Sequence, residues 1–180
     1  MSRIYGNFIE HLPQARESLE LGFGVHYHSN KERWENNFIV AQFCSNYFAT
    51  FLLNKQLRYS IQYIANELLE NAIKFNKDSK QHINLNLYLL DDKMIISAVN
   101  TTDKLSCIKL QELVQKILTD DPLTMYIEQV KSSTEVSNIS GLGLLTILND
   151  HGAELGWEIQ DCTDEKELLQ VKTMAQLNIE

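Results

Sequence analysis

The order of apolar and polar residues along the chain predicts a strand first. Glu20 to His28, ELGFGVHYH, alternates in the two-residue rhythm of a strand, thinned at its start by Gly22 and Gly24. Ser29 and Asn30 then offer helix-capping chemistry, and the spacing predicts a helix from about Lys31 to Asn54. Its apolar positions Phe38, Ala41, Tyr47, Phe48, Phe51 and Leu52 recur at helical intervals. A second helix is predicted from about Leu57 to Asn76, with a stripe of Ile61, Ile64, Ala65, Leu68, Ala72 and Phe75. Two strand-like runs follow, His82 to Leu90 and Lys93 to Asn100, joined by Asp91-Asp92 as a tight hairpin turn. Leu105 to Leu118 is helical in pattern, and Pro122 suits the first turn of a further helix. Ser140-Gly141-Leu142-Gly143 leads into a short helix from Leu144 to about His151, closed by Gly152. Strands over about Glu154 to Gln160 and Leu168 to Ile179 end the chain. The order predicts an α+β sandwich, a mixed and mostly antiparallel sheet with helices on one face, formed by one domain over residues 1–180.

Composition narrows the class. The 180 residues are 44% hydrophobic, ordinary for a globular chain, and carry 24 acidic against 16 basic residues, a formal charge of −8. That balance argues against a nucleic-acid partner, which usually needs a basic face. No apolar run approaches the ~20 residues needed to span a membrane, and the first residues lack the charge and apolar core of a signal peptide. Cys44, Cys107 and Cys162 show no CxxC spacing and read as reduced thiols of a cytoplasmic protein.

The stretch Ile64 to Phe75, IANELLENAIKF, carries the sharpest chemistry. Glu67, Asn71 and Lys74 are spaced by four and three, so they share one helix face beside the apolar stripe. An Asn carbonyl is a hard ligand for Mg²⁺, a Lys is a mobile cation for phosphate oxygens, and a Glu can orient or deprotonate a nucleophile. The same spacing also suits an ordinary amphipathic helix with charge pairs between Lys74 and Glu67 or Glu70. Gly141 and Gly143 at a helix start let backbone N–H groups approach an anion, though a plain turn reads the same way. His26 and His28 would share one strand face, with no further ligand at metal spacing. His151 is placed to meet the last carbonyls of its helix. Trp34 and Trp157 read as packing residues. The aromatic helix Phe38 to Phe51 reads as mostly core, with a homodimer or partner face as the other reading.

Taken in order, ELLENAIKF and SGLGLLTI resemble the N-box and second glycine box of the gyrase–chaperone–histidine kinase–MutL ATPase superfamily, with its Bergerat-type sandwich. The resemblance runs from about Leu57 to the C-terminus. It implies that Asn71 coordinates Mg²⁺, Glu67 is the N-box acid, and Lys74 reaches the phosphates of ATP. It also implies that Gly141, Gly143 and Leu144 hold the triphosphate beneath a lid of about Thr119 to Ile139. The family's first glycine box, D-x-G-x-G, is replaced here by Val99-Asn100-Thr101-Thr102-Asp103-Lys104. Asn100 stands at the adenine-binding position, and both glycines are missing. A chain of this kind is most similar to stand-alone anti-sigma and serine-kinase regulators, which bind a partner protein and phosphorylate its Ser or Thr. The alternative that the altered box leaves open is a non-catalytic interaction module.

Overall fold

The computed structural model describes residues 2–24, 30–52, 54–77, 83–132, 141–162 and 167–179. The strands are β1 (Ser2–Gly6), β2 (Glu17–Phe23), β3 (Ile83–Leu89), β4 (Lys93–Asp103), β5 (Glu154–Asp161) and β6 (Leu168–Asn178). The helices are α1 (Asn30–Ala49), α2 (Lys55–Phe75), α3 (Lys104–Thr119), α4 (Pro122–Ser132) and α5 (Leu142–Asn149). The strands form one six-stranded sheet in the order β1-β5-β6-β4-β3-β2, and every described pair is antiparallel. The α+β sandwich is therefore as expected. No helix among the described residues is long and apolar enough to cross a membrane.

Strand alternation decides which residues face the helices. Ile83, Leu85, Leu87 and Leu89 of β3 are fully buried and join Met94, Ile96 and Ala98 of β4, and Ala175 and Leu177 of β6, in the main core. The opposite face buries Ile95 and Met174 beneath Phe8, Ile9 and Leu12 of the N-terminal segment. That segment crosses from β1 at one edge to β2 at the other. It is held by the amide of Asn7 on the Leu155 carbonyl (2.9 Å), by Gln176 on the Asn7 carbonyl, and by the Arg16 amide on Leu89 (2.8 Å). It passes so close over β5 that a Cβ on Gly156 would overlap the backbone of Asn7 and Phe8.

Several boundaries differ from the sequence pattern. β1 has no clear periodic signal of its own and exists as an edge strand because β5 offers an unpaired ladder, Tyr5 opposite Trp157. β2 begins earlier than the alternation suggests, since Glu17 already pairs with Leu89, and it ends at Phe23; His26 and His28 lie outside the described residues. α1 ends at Ala49, five residues short of Asn54. Asn54 instead caps α2, accepting the Gln56 amide at 2.9 Å. Among its described side chains, α1 is buried along Asn37, Ala41, Cys44, Ser45 and Phe48, while Trp34, Phe38, Ile39 and Phe43 are exposed. Trp34 stacks on Phe38 at 5.9 Å instead of packing inside. Cys44, Cys107 and Cys162 form no disulfide among the described residues, and burial pushes the thiol of Cys44 up to about 12.

Candidate functional site

α2 is buried on one side by Ile61, Ile64, Ala65, Leu68, Leu69 and Ala72, which sets Asn71 and Lys74 along the edge of its buried stripe. What fixes the end of this helix is a gap in the sheet. The β3–β4 register stops at Val99, so beyond it that edge of β4 has no strand partner among the described residues. The C-terminus of α2 fills that edge. The Thr101 amide donates to Asn76 Oδ1 (3.1 Å), and the Lys77 amide donates to the Thr101 carbonyl (2.8 Å). The helix turn bearing Asn71 and Lys74 is thereby tied beside Asn100 and Thr102.

β4 itself runs as regular strand through Val99-Asn100-Thr101-Thr102 to Asp103, where the resemblance would place a glycine-rich loop. Asp103 then caps α3, accepting the Ser106 amide at 2.7 Å. That bond, together with Lys77 Nζ at 3.9 Å, holds the Asp103 carboxyl below the usual carboxylate range.

Between α2, α3, the start of α5 and the sheet lies a cavity of about 560 Å³. Asn71, Lys74, Asn100, Gly141 and Leu144 all line it. Its sheet floor comes from Ala98, Asn100, Thr102, Val171, Thr173 and Trp157. Lys77 and Lys109 join Lys74 on its lining, three cations on one cavity of a chain whose net charge is −8. Gly141 takes a positive φ of 106° as the N-cap of α5, and no side chain among the described residues caps that helix start. The first N–H groups of a helix have no acceptor within it and can meet an anion.

Glu67 and Gly143 are brought together, but not onto the cavity lining. A Cβ on Gly143 would overlap the Glu67 carboxylate, so this glycine makes room for a carboxyl group. Burial, and secondarily the Glu70 charge, push Glu67 up to about 7. The contact belongs to a polar seam between α2 and α5. Tyr63 stacks on His151 with centroids 4.7 Å apart, and His151 Nδ1 meets Ser60 Oγ at 3.0 Å. His151 thus serves the helix–helix contact rather than the end of its own helix. Burial lowers its pKa, with Asp150 opposing.

Of the expected lid, α4 occupies Pro122–Ser132, and residues 133–140, including Ser140, lie outside the described residues. Sequence reasoning missed Thr102, Ser106, Lys77, Lys109, Thr173 and Trp157 as cavity residues. Thr102 stood inside the altered first box, and that was its one signal. Trp157 was read as packing, and it is fully buried, yet it also lines the cavity.

No protein-family model matches the sequence, and no curated protein does. Among solved structures, a chain of the SiaB–SiaC complex from Pseudomonas aeruginosa is similar, with a TM-score of 0.64 over 88% of this chain and 89% of that one. The two are 15% identical, so the likeness is one of fold.

Proposed function

We propose that the chain is a signalling regulator that binds ATP with Mg²⁺ in this cavity and transfers a phosphoryl group to a Ser or Thr of a partner protein. The observation that carries the reading is convergence: Asn71 and Lys74 from α2, Asn100 from β4, and Gly141 and Leu144 at the start of α5 meet on one cavity whose floor mixes apolar and polar side chains. A fold shared with a chain solved in a two-protein complex supports a protein partner.

The donor set fits the ligand. Among the described residues no cluster of three or more His, Cys, Asp or Glu could hold a metal. A neutral Asn71 oxygen instead suits Mg²⁺, which keeps several waters and shares its remaining ligands with substrate phosphates. Lys74 and the first N–H groups of α5 would hold phosphate oxygens. Asn100, buried on the floor, would meet the base. Glu67, raised to about 7 but packed against Gly143 off the cavity lining, would have to rotate into the cavity to accept a hydroxyl proton. Bound ATP with Mg²⁺ supplies the transferable group, and such chemistry depends on positioning and charge neutralisation.

The second reading, a non-catalytic interaction module, is favoured by β4 continuing as strand where the glycine box would be. A thermal-shift titration with ATP and MgCl₂ separates them. At 100 times Kd, binding stabilises by about 2.7 kcal/mol, and Lys74→Ala or Asn71→Ala should weaken it at least tenfold. No shift at millimolar nucleotide would leave the module as the reading.

A further inference from the structure

α1 is covered on one side and open on the other. Ala41, Cys44 and Phe48 turn towards α2 and the core and are fully buried. On the outer arc, Trp34 is 57% exposed, Phe38 40%, Ile39 60% and Phe43 52%. At about 100° per residue, these four fall within about half a turn of one another. Trp34 stacks on Phe38 at 5.9 Å, and Ile39 and Phe43 repeat the same four-residue step, so two ridges run side by side. Gln42 and Asn46 continue the Trp34–Phe38 ridge with neutral amides. A helix that is apolar on every side is one that proteins bury on every side, and this chain buries half of it.

Charge and area point to the occupant. From Asn36 to Asn54 no side chain is charged, in a chain whose charged residues make up 22%. Two copies of net charge −8 repel each other, so they pair most readily over a surface without charge. A basic partner would instead be drawn to acidic surface, and this stretch offers it none. Taking about 150–250 Å² for a large aromatic side chain, the exposed fractions of the four residues amount to about 400 Å² of apolar surface. A standard interface takes about 800 Å² from each partner, somewhat over half of it apolar. The face is the size that one half of a dimer requires.

We propose that two copies of this chain pair about a twofold axis through the outer faces of α1, a contact independent of what the cavity binds. Such a contact sets one patch against itself, and the four-residue ridges of each helix fit the grooves of the other. With the helices antiparallel and the axis near Gln42, that amide meets its own copy, which it can do because an amide both donates and accepts. Ile39 and Phe43 pack beside it. The acidic residues Glu32 and Glu35 then lie at the rim, each opposite the uncharged end of the other helix.

Sedimentation equilibrium of the full chain, without nucleotide, should give twice the 20.8 kDa chain mass at micromolar concentration. Ile39→Lys and Phe43→Lys, at exposed positions, should keep the parent's circular dichroism and weaken pairing at least about a hundredfold, since each charge enters the interface twice. Added salt should tighten the parent pair by screening one −8 chain from the other. Trp157 is fully buried, so acrylamide quenching of the parent reports Trp34 and should fall as the chain associates, a readout that needs no variant. A 20.8 kDa mass at every concentration would give this face to a different protein and overturn the inference. A pair that forms equally well in both variants, weakens with salt, or leaves Trp34 as quenchable as in the monomer would place the contact elsewhere and overturn it too.

Discussion

On one face of the sheet the N-terminal segment lies directly on the strands; on the other, the helices stand off far enough to leave a cavity of about 560 Å³. Two glycines express the difference. Gly156 is small because backbone crosses it, and Gly143 is small because the Glu67 side chain does. Backbone cannot step aside without unseating a segment, whereas a carboxylate can rotate. The closed face thus serves as scaffold, and the open face keeps groups that can move or be filled.

Substitutions at the two glycines sharpen this contrast. Gly156→Ala should cost about 3 kcal/mol or more in urea unfolding, because the added methyl meets main chain. A loss below about 1 kcal/mol would show that the N-terminal segment is loosely seated. Gly143→Ala should cost about 2 kcal/mol and lower ATP–Mg²⁺ affinity, and Glu67→Ala in the same chain should restore the stability. If the double variant is no better than the single, the Glu67 contact is not what Gly143 serves.

A third experiment concerns the charge behind that glycine. The folded pKa of Glu67, about 7, lies above the 4.5 of a free glutamate side chain. The folded state therefore holds the proton more tightly, and this group lowers stability as pH rises from about 4.5 to 7, with the full penalty above 7. Glu67→Gln should stabilise by about 1–2 kcal/mol at pH 8, after discounting for partial solvent screening, and by little near pH 4.5. A pH-independent difference would remove the buried-carboxylate account.

The smallest expected effect is at Asn100. Restoring an acid with Asn100→Asp should strengthen adenine binding by about 1 kcal/mol, since a charged acceptor replaces a neutral one. Competition of ATP against GTP reads it. Unchanged affinity and base preference would place the adenine contact elsewhere on the floor.

Local periodicity was enough for the elements that bury one continuous stripe. The alternation of Ile83, Leu85, Leu87 and Leu89, and the repeat from Ile61 to Ala72, identify β3 and α2 because each element's own residues decide its buried face. The face shared by Glu67, Asn71 and Lys74 follows from helix geometry alone. β1 was invisible, because a five-residue edge strand is made by the neighbour it completes. The exposed aromatics of α1 escaped for a related reason: apolar residues surround that helix, so spacing could not say which of them α2 would cover. Pairing between distant segments was likewise beyond local pattern. Glu67 against Gly143, the α2 terminus filling the free edge of β4 at Thr101, and Thr102 and Trp157 lining one cavity all join residues far apart in the chain. The sequence alone determined which residues could do chemistry and on which face of their own element they stand. Only the tertiary structure decided which of those faces meet, because that depends on sheet order and on where each ladder runs out of partners.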